Sequence, residues 1–145
     1  MRSPVEKPVV TSHYGWRMLN GQKQWHPGID YVSGTGNKTV FAIAAGTVVL
    51  DFDAYEEAKR WTDPASSAGN YICVKHDLAQ GSFFVRYLHL KKNSVAHGQK
   101  VLEGQTLGEY ADVGFSYGAH LHIEAYDSQW NPCDISKLFN GIVPI

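Results

Sequence analysis

Residues 70–90 read NYICVKHDLAQGSFFVRYLHL, and this stretch decides the fold. Two runs rich in Val, Ile, Tyr and Phe, 70–76 and 83–90, flank the turn pair Gln80-Gly81. A connection this short has no room for the helix of a parallel crossover, so the two strands run antiparallel. The same pattern extends in both directions. Residues 40–51, 106–109 and 120–126 are further candidate strands, and Ala45-Gly46, His97-Gly98 and Glu103-Gly104 are turn signals between them. The sequence predicts a mainly β chain, folded as one antiparallel domain of sandwich or barrel-like form.

One segment departs from that pattern. Residues 53–60, DAYEEAKR, are rich in helix formers, and residues 61–69, WTDPASSAG, read as a loop. Together they predict a helical or loop insertion at about 53–68, either a solvated surface excursion or a wall of a substrate cleft. A short helix is expected near Asp134, where Asp134-Ile-Ser-Lys-Leu-Phe resembles a capped turn. Residues 1–10, MRSPVEKPVV, read as an extended leader before a domain spanning 11–145. They hold no apolar core of secretory-signal length, and no apolar run approaches a membrane span. A soluble chain is expected, one that reaches its substrate without its own signal or is cut from a longer protein.

A chain of 145 residues fits a single core, and 43% hydrophobic with 19% charged residues is a globular composition. The net charge of −1 supplies no basic field, so neither nucleic acid nor a membrane surface is an expected partner. A monomer is expected. Cys73 and Cys133 are too few for a disulfide framework, and buried free thiols are favoured over a bridge.

The chemistry lies in the seven histidines. In the run HLHIEAY, His120 and His122 are two apart on a strand, so both project from one face with Cα atoms roughly 6 to 7 Å apart. Leu121 and Ile123 turn the other way, into apolar packing. His26-Pro27-Gly28-Ile29-Asp30 adds an imidazole and a carboxylate. Pro27 and Gly28 exclude a stable helix there, so the segment is a loop entering a strand. His26, Asp30 and one or both of His120 and His122 form a mixed nitrogen and oxygen donor set. Such a set fits catalytic zinc better than the closed, thiolate-rich structural kind. His89, in Tyr87-Leu88-His89-Leu90, is on a strand that could run beside both clusters.

These residues resemble the lysostaphin-type or LytM-type zinc endopeptidases, the M23 family of peptidoglycan hydrolases. That family's pattern of H-x-x-x-D, a histidine in a Y-x-H-L strand and a late H-x-H appears here as His26 to Asp30, His89, and His120 to His122. Ser12-His13-Tyr14-Gly15-Trp16-Arg17, Gly69-Asn70-Tyr71 and Gly98-Gln99-Lys100-Val101 are supporting echoes, and the likeness runs from about Thr11 to Phe139. There are two departures. One is the insertion, and the other is the approach to H-x-H, Ala111-Asp112-Val113-Gly114-Phe115-Ser116-Tyr117-Gly118-Ala119, where the family is richer in glycine.

The resemblance implies that His26, Asp30 and His122 bind zinc. His89 and His120 then remain outside the metal's ligands as catalytic residues, either His120 as general base and His89 toward the oxyanion or the water, or the two with these roles exchanged. It implies a bacterial peptidoglycan peptide as substrate and action at the cell wall, as in a bacterial enzyme or a phage lysin. The alternative is a non-catalytic peptidoglycan-binding or regulatory module on the same fold. His76 is expected to serve structure, and His13 and His97 to face solvent.

Overall fold

The computed structural model describes residues 1–54, 68–113 and 118–145. Most of the expected insertion at 53–68 therefore lies outside the described residues, as does Tyr117. Among the described residues the architecture is antiparallel β throughout, with a single turn of helix. The decisive stretch forms β7 (Asn70–Leu78) and β8 (Gly81–Asn93), paired from Asn70 opposite Leu90 to Leu78 opposite Gly81. Gly81 has φ 132°, a conformation open mainly to glycine, which lets the chain reverse within two residues.

Alternation along these strands separates two faces. Ile72 and Val74 on β7, Val85 and Tyr87 on β8, and Leu121 and Ile123 on β11 (Leu121–Asp127) are fully buried in one core. The opposite parity carries Arg86, Leu88, His122 and Glu124, which line a cleft. One two-residue period thus builds a core on one side and a site on the other.

The main sheet runs β1 (Pro8–Ser12), β4 (Ile29–Ser33), β11, β8, β7, β6 (Gly46–Phe52), β9 (Lys100–Val101). It forks at β8, whose edge pairs with β11 through Leu88 and with β10 (Thr106–Tyr110) from Leu90 onward. β10 also pairs with β5 (Thr39–Phe41), and β12 (Pro132–Cys133) extends β11. His89 sits at the fork. The last helix, α1 (Ser136–Phe139), follows Asp134, whose carboxylate accepts from the backbone N–H and hydroxyl of Ser136, as a capped turn requires.

One candidate strand divides, and the structure adds detail beyond the sequence pattern. Residues 40–51 are two strands, not one: at Ala42 and Ile43 the backbone turns inward to pair with Gln105, Gly104 and the Tyr87 hydroxyl. Residues 1–10, expected as an extended leader, place Val5 in the core, the N–H of Phe41 donates to the carbonyl of Pro4, and β1 begins at Pro8. A hairpin of β2 (Gly15–Leu19) and β3 (Gln22–His26) also stands apart as its own sheet. β3 is exposed from Gln22 to Trp25 and β2 turns Trp16 and Met18 outward, so no core-facing apolar stripe marks either strand. The signal was Asn20-Gly21, with φ of 52° and 77°, a pair that favours a tight hairpin turn.

His76 serves structure as expected. Its Nδ1–H donates to the carbonyl of Ala45 (3.0 Å), so its Nε2 accepts from the Tyr87 hydroxyl (2.9 Å), whose oxygen accepts the N–H of Ile43 (3.2 Å). Burial pushes the His76 imidazolium below its ordinary range and holds the ring neutral. Cys73 is buried and Cys133 half-buried, and both are free thiols.

Candidate metal centre

Three elements bring the donors together. β3 ends at His26, Pro27 and Gly28 turn the chain, and Asp30 follows on β4. β11 lies against β4 with His122 directly opposite Asp30. His26 Nε2 is 3.2 Å from Asp30 Oδ1, His122 Nδ1 is 2.8 Å from the same oxygen, and the two nitrogens are 3.1 Å apart. Zinc bonds of about 2.0–2.1 Å in a tetrahedron imply edges of about 3.3 Å, so this triangle fits the ion after small adjustments. Among the described residues, these three are the group whose donor atoms converge in this way.

The remaining atoms of each donor are accounted for. His26 donates Nδ1–H to the carbonyl of His13 (2.8 Å), which leaves the Nε2 lone pair toward the centre. Asp30 Oδ2 faces Arg17, whose guanidinium is 3.5 Å away and also donates to Ser12 (2.9 Å) and Gln24 (3.2 Å). His122 Nε2 is 2.9 Å from Glu124 Oε2, leaving Nδ1 toward the centre. Partners of this kind orient metal-binding histidines and fix their tautomers.

Electrostatics follow the packing. Burial works against the Asp30 carboxylate, yet hydrogen bonds from His122 and His26 outweigh it and hold the carboxyl far below the usual range. Burial likewise disfavours the His122 imidazolium, and Asp30 and Glu124 overcome this and raise its pKa. His89 goes the other way: burial, with His120 and His122 nearby, pushes it down to about 3.

The two outer histidines flank the trio. The His89 and His120 rings are 4.7 Å apart between centroids, and His89 is 6.1 Å from His122. His89 Nδ1 contacts the carbonyl of Val113 (2.7 Å), and His120 Nδ1 that of Gly118 (2.9 Å). A carbonyl only accepts, so both Nδ1 atoms carry hydrogen, and in each neutral ring Nε2 presents its lone pair. His120 Nε2 lies 3.7 Å from Asp30 Oδ1. All five predicted residues meet here, while His13 and His97 are exposed as expected.

Two open clefts, of about 320 and 580 Å³, share Arg17, Asp30 and His120. An extended chain crossing the metal centre would occupy both. The exposed hairpin forms one wall, with Trp16 opposite Trp25.

Glu124 was not among the residues singled out from sequence. The signal was present in HLHIEAY, where His120, His122, Glu124 and Tyr126 repeat at the same two-residue period.

The fold and site together define an antiparallel β domain with a buried His-Asp-His centre open to a cleft. The family model "Peptidase family M23" matches residues 24–134, and the chain belongs to that family. It is 32% identical over 127 residues to peptidoglycan DD-endopeptidase ShyC of Vibrio cholerae, an alignment covering 86% of this chain and 26% of that protein. A zinc-containing peptidase from Vibrio cholerae superposes with a TM-score of 0.62 at 28% identity over 84% of this chain and 35% of the other. The lysostaphin catalytic domain from Staphylococcus simulans shares the fold, with a TM-score of 0.70 at 24% identity over 92% and 93% of the two chains. The chain spans about a quarter of the length of the curated relatives it matches.

Proposed function

We propose that this domain is a zinc-dependent endopeptidase that cuts peptide cross-links or stem peptides of bacterial peptidoglycan, acting at the cell wall. The observation that carries the reading is the convergence of His26 Nε2, Asp30 Oδ1 and His122 Nδ1 beside a cleft, with the other polar atoms of all three already engaged. That two relatives are named peptidoglycan DD-endopeptidases supports the substrate class.

His26, Asp30 and His122 would hold the ion. Zinc bound there supplies a Lewis acid that activates water and polarises a peptide carbonyl near neutral pH. His120, with Nε2 toward the centre, takes the proton of the attacking water and returns it to the leaving amine. His89 has its Nδ1–H committed to Val113, so its Nε2 accepts a hydrogen of the water and holds it in line. Of the two roles open to His89, this favours positioning the water over donating to the oxyanion.

The test is digestion of purified walls, some with direct D-alanyl cross-links and some with glycine bridges, by the zinc-loaded protein. Mass spectrometry is expected to find new amino termini at one class of bond and none after chelation. Walls of both kinds left intact would overturn the reading.

A further inference from the structure

We propose that Glu124 is the positioning residue that fixes the His122 ring and its tautomer for the metal, with Arg86 and Tyr126 holding Glu124 in turn. The inference rests on the zinc-site reading above. It begins with register: Glu124 follows His122 by two on β11 and lies directly opposite Arg86 on β8. Alternation therefore places all three side chains on the cleft face.

The geometry is closed on every side. Glu124 Oε2 accepts from His122 Nε2 at 2.9 Å, while Oε1 accepts from Arg86 Nη1 at 3.1 Å and from the Tyr126 hydroxyl at 2.8 Å. The Arg86 guanidinium also lies over the Tyr71 ring, 4.8 Å from its centroid. Glu124 is 5% exposed, and a carboxylate buried to that extent persists only when paired and hydrogen-bonded. Because a carboxylate only accepts, the shared hydrogen belongs to His122 Nε2. Nδ1 is then the nitrogen left for the ion.

A purely structural role for Glu124, as the partner of Arg86, makes a different prediction. It would leave the metal affinity of the folded protein unchanged when Glu124 is replaced. An amide at this position separates the two roles. Glutamine offers one acceptor oxygen and one NH2 group, so it can satisfy His122 or Arg86, but not both.

The experiment measures zinc affinity of the folded protein by competition with a chromophoric chelator for wild type, Glu124→Gln, Glu124→Met and Tyr126→Phe. Loss of an outer partner of this kind weakens metal binding about 10–100-fold, which is the expected result for Glu124→Met, with Glu124→Gln between it and wild type. Tyr126→Phe keeps the carboxylate and is expected to show a smaller loss. A second readout is the imidazole proton spectrum of the zinc-loaded wild type, in which His122 should show a protected Nε2–H resonance. That measurement stands even if Glu124→Met fails to fold. Variants that fold and bind zinc as wild type does, or a His122 Nε2 without a proton in the zinc form, would overturn the proposal and leave the functional reading intact. A wild type that takes up no zinc would overturn both.

Discussion

Gly28→Ala tests how closely the fold and the metal centre are joined. A Cβ at Gly28 would stand 2.8 Å from both Cε1 and Nε2 of the His122 ring, and closer still to the Ile123 carbonyl oxygen. Ordinary contact begins at 3.4 Å, so the ring would have to retreat by about 0.6 Å. The carbonyl has less room to yield, because Ile123 opposite Ile29 and His122 opposite Asp30 belong to the ladder joining β11 to β4. Relief of the clash therefore separates the strands that carry two of the three proposed ligands. Overpacking of this kind costs about 1–3 kcal/mol. For a domain of this length that lowers the melting temperature by about 3–12 °C. The same displacement strains the bond from His122 Nε2 to Glu124, so zinc affinity should fall about 10-fold or more. Thermal denaturation of the metal-free protein and chelator competition measure the two effects. Gly36→Ala is the control: its Cβ meets nothing within 4 Å, but its φ of 80° strains an L-residue. It should lose stability and keep zinc affinity. A Gly28→Ala protein that matches wild type in both measurements would refute the reasoning.

Among the site histidines, His26→Ala and His122→Ala should lose stoichiometric zinc, whereas His89→Ala and His120→Ala should retain it and lose cleavage by about 100-fold or more. Retention in His122→Ala with loss in His120→Ala would reverse the ligand assignment. His89 has φ 65°, so His89→Gly should be more stable in urea than His89→Ala by about 1 kcal/mol, although both are inactive. Tyr87→Phe leaves His76 Nε2 and the N–H of Ile43 without their partner in the core and should cost about 2–4 kcal/mol by urea denaturation. The lowered pKa of His76 means that the unfolded chain takes up its proton first as pH falls. Its contribution to stability should be complete above about pH 6.5 and shrink as pH drops through the lowered folded value, so the loss of stability on acidification should be smaller in His76→Gln.

The sequence made some of this legible because a two-residue period in HLHIEAY and RYLHL specifies both a strand and the side chains that share its face. The antiparallel class, the β7–β8 hairpin and the shared face of His120 and His122 follow from that period, whereas His26 and Asp30 were legible only as a donor pair around a Pro-Gly loop. It failed where burial did not alternate. β3 is exposed at Gln22, Lys23, Gln24 and Trp25, so no apolar stripe marks it, and only the Asn20-Gly21 turn carried the information. The continuous run at 40–51 hid a break because Ala42, Ile43 and Ala44 are buried while their backbone pairs outside a ladder. Gly28 was legible only as a helix breaker. Its second role, clearing space for the His122 ring, depends on a contact between residues far apart in the chain.

The backbone that carries each site residue supports the proposed division between ligands and outer histidines. Asp30 and His122 face each other in a regular ladder supported by core residues on the opposite parity, which suits groups that must hold fixed distances. His89 instead occupies an irregularity. Simple alternation would send it inward beside Tyr87, yet it lines the cleft together with its neighbour Leu88. The left-handed φ of 65° and the register shift on β8 produce that turn. The N–H of Ala111 then donates to the His89 carbonyl (2.8 Å), and Ala111 pairs with His120, so the fork of the sheet ties both outer histidines to one point. A left-handed backbone at a non-glycine residue costs about 1–2 kcal/mol, and the fold sustains it at the position proposed to hold the water. Under the proposed roles, regular pairing sets the donors for the ion, and a local break in that pairing aims the histidine that positions the water.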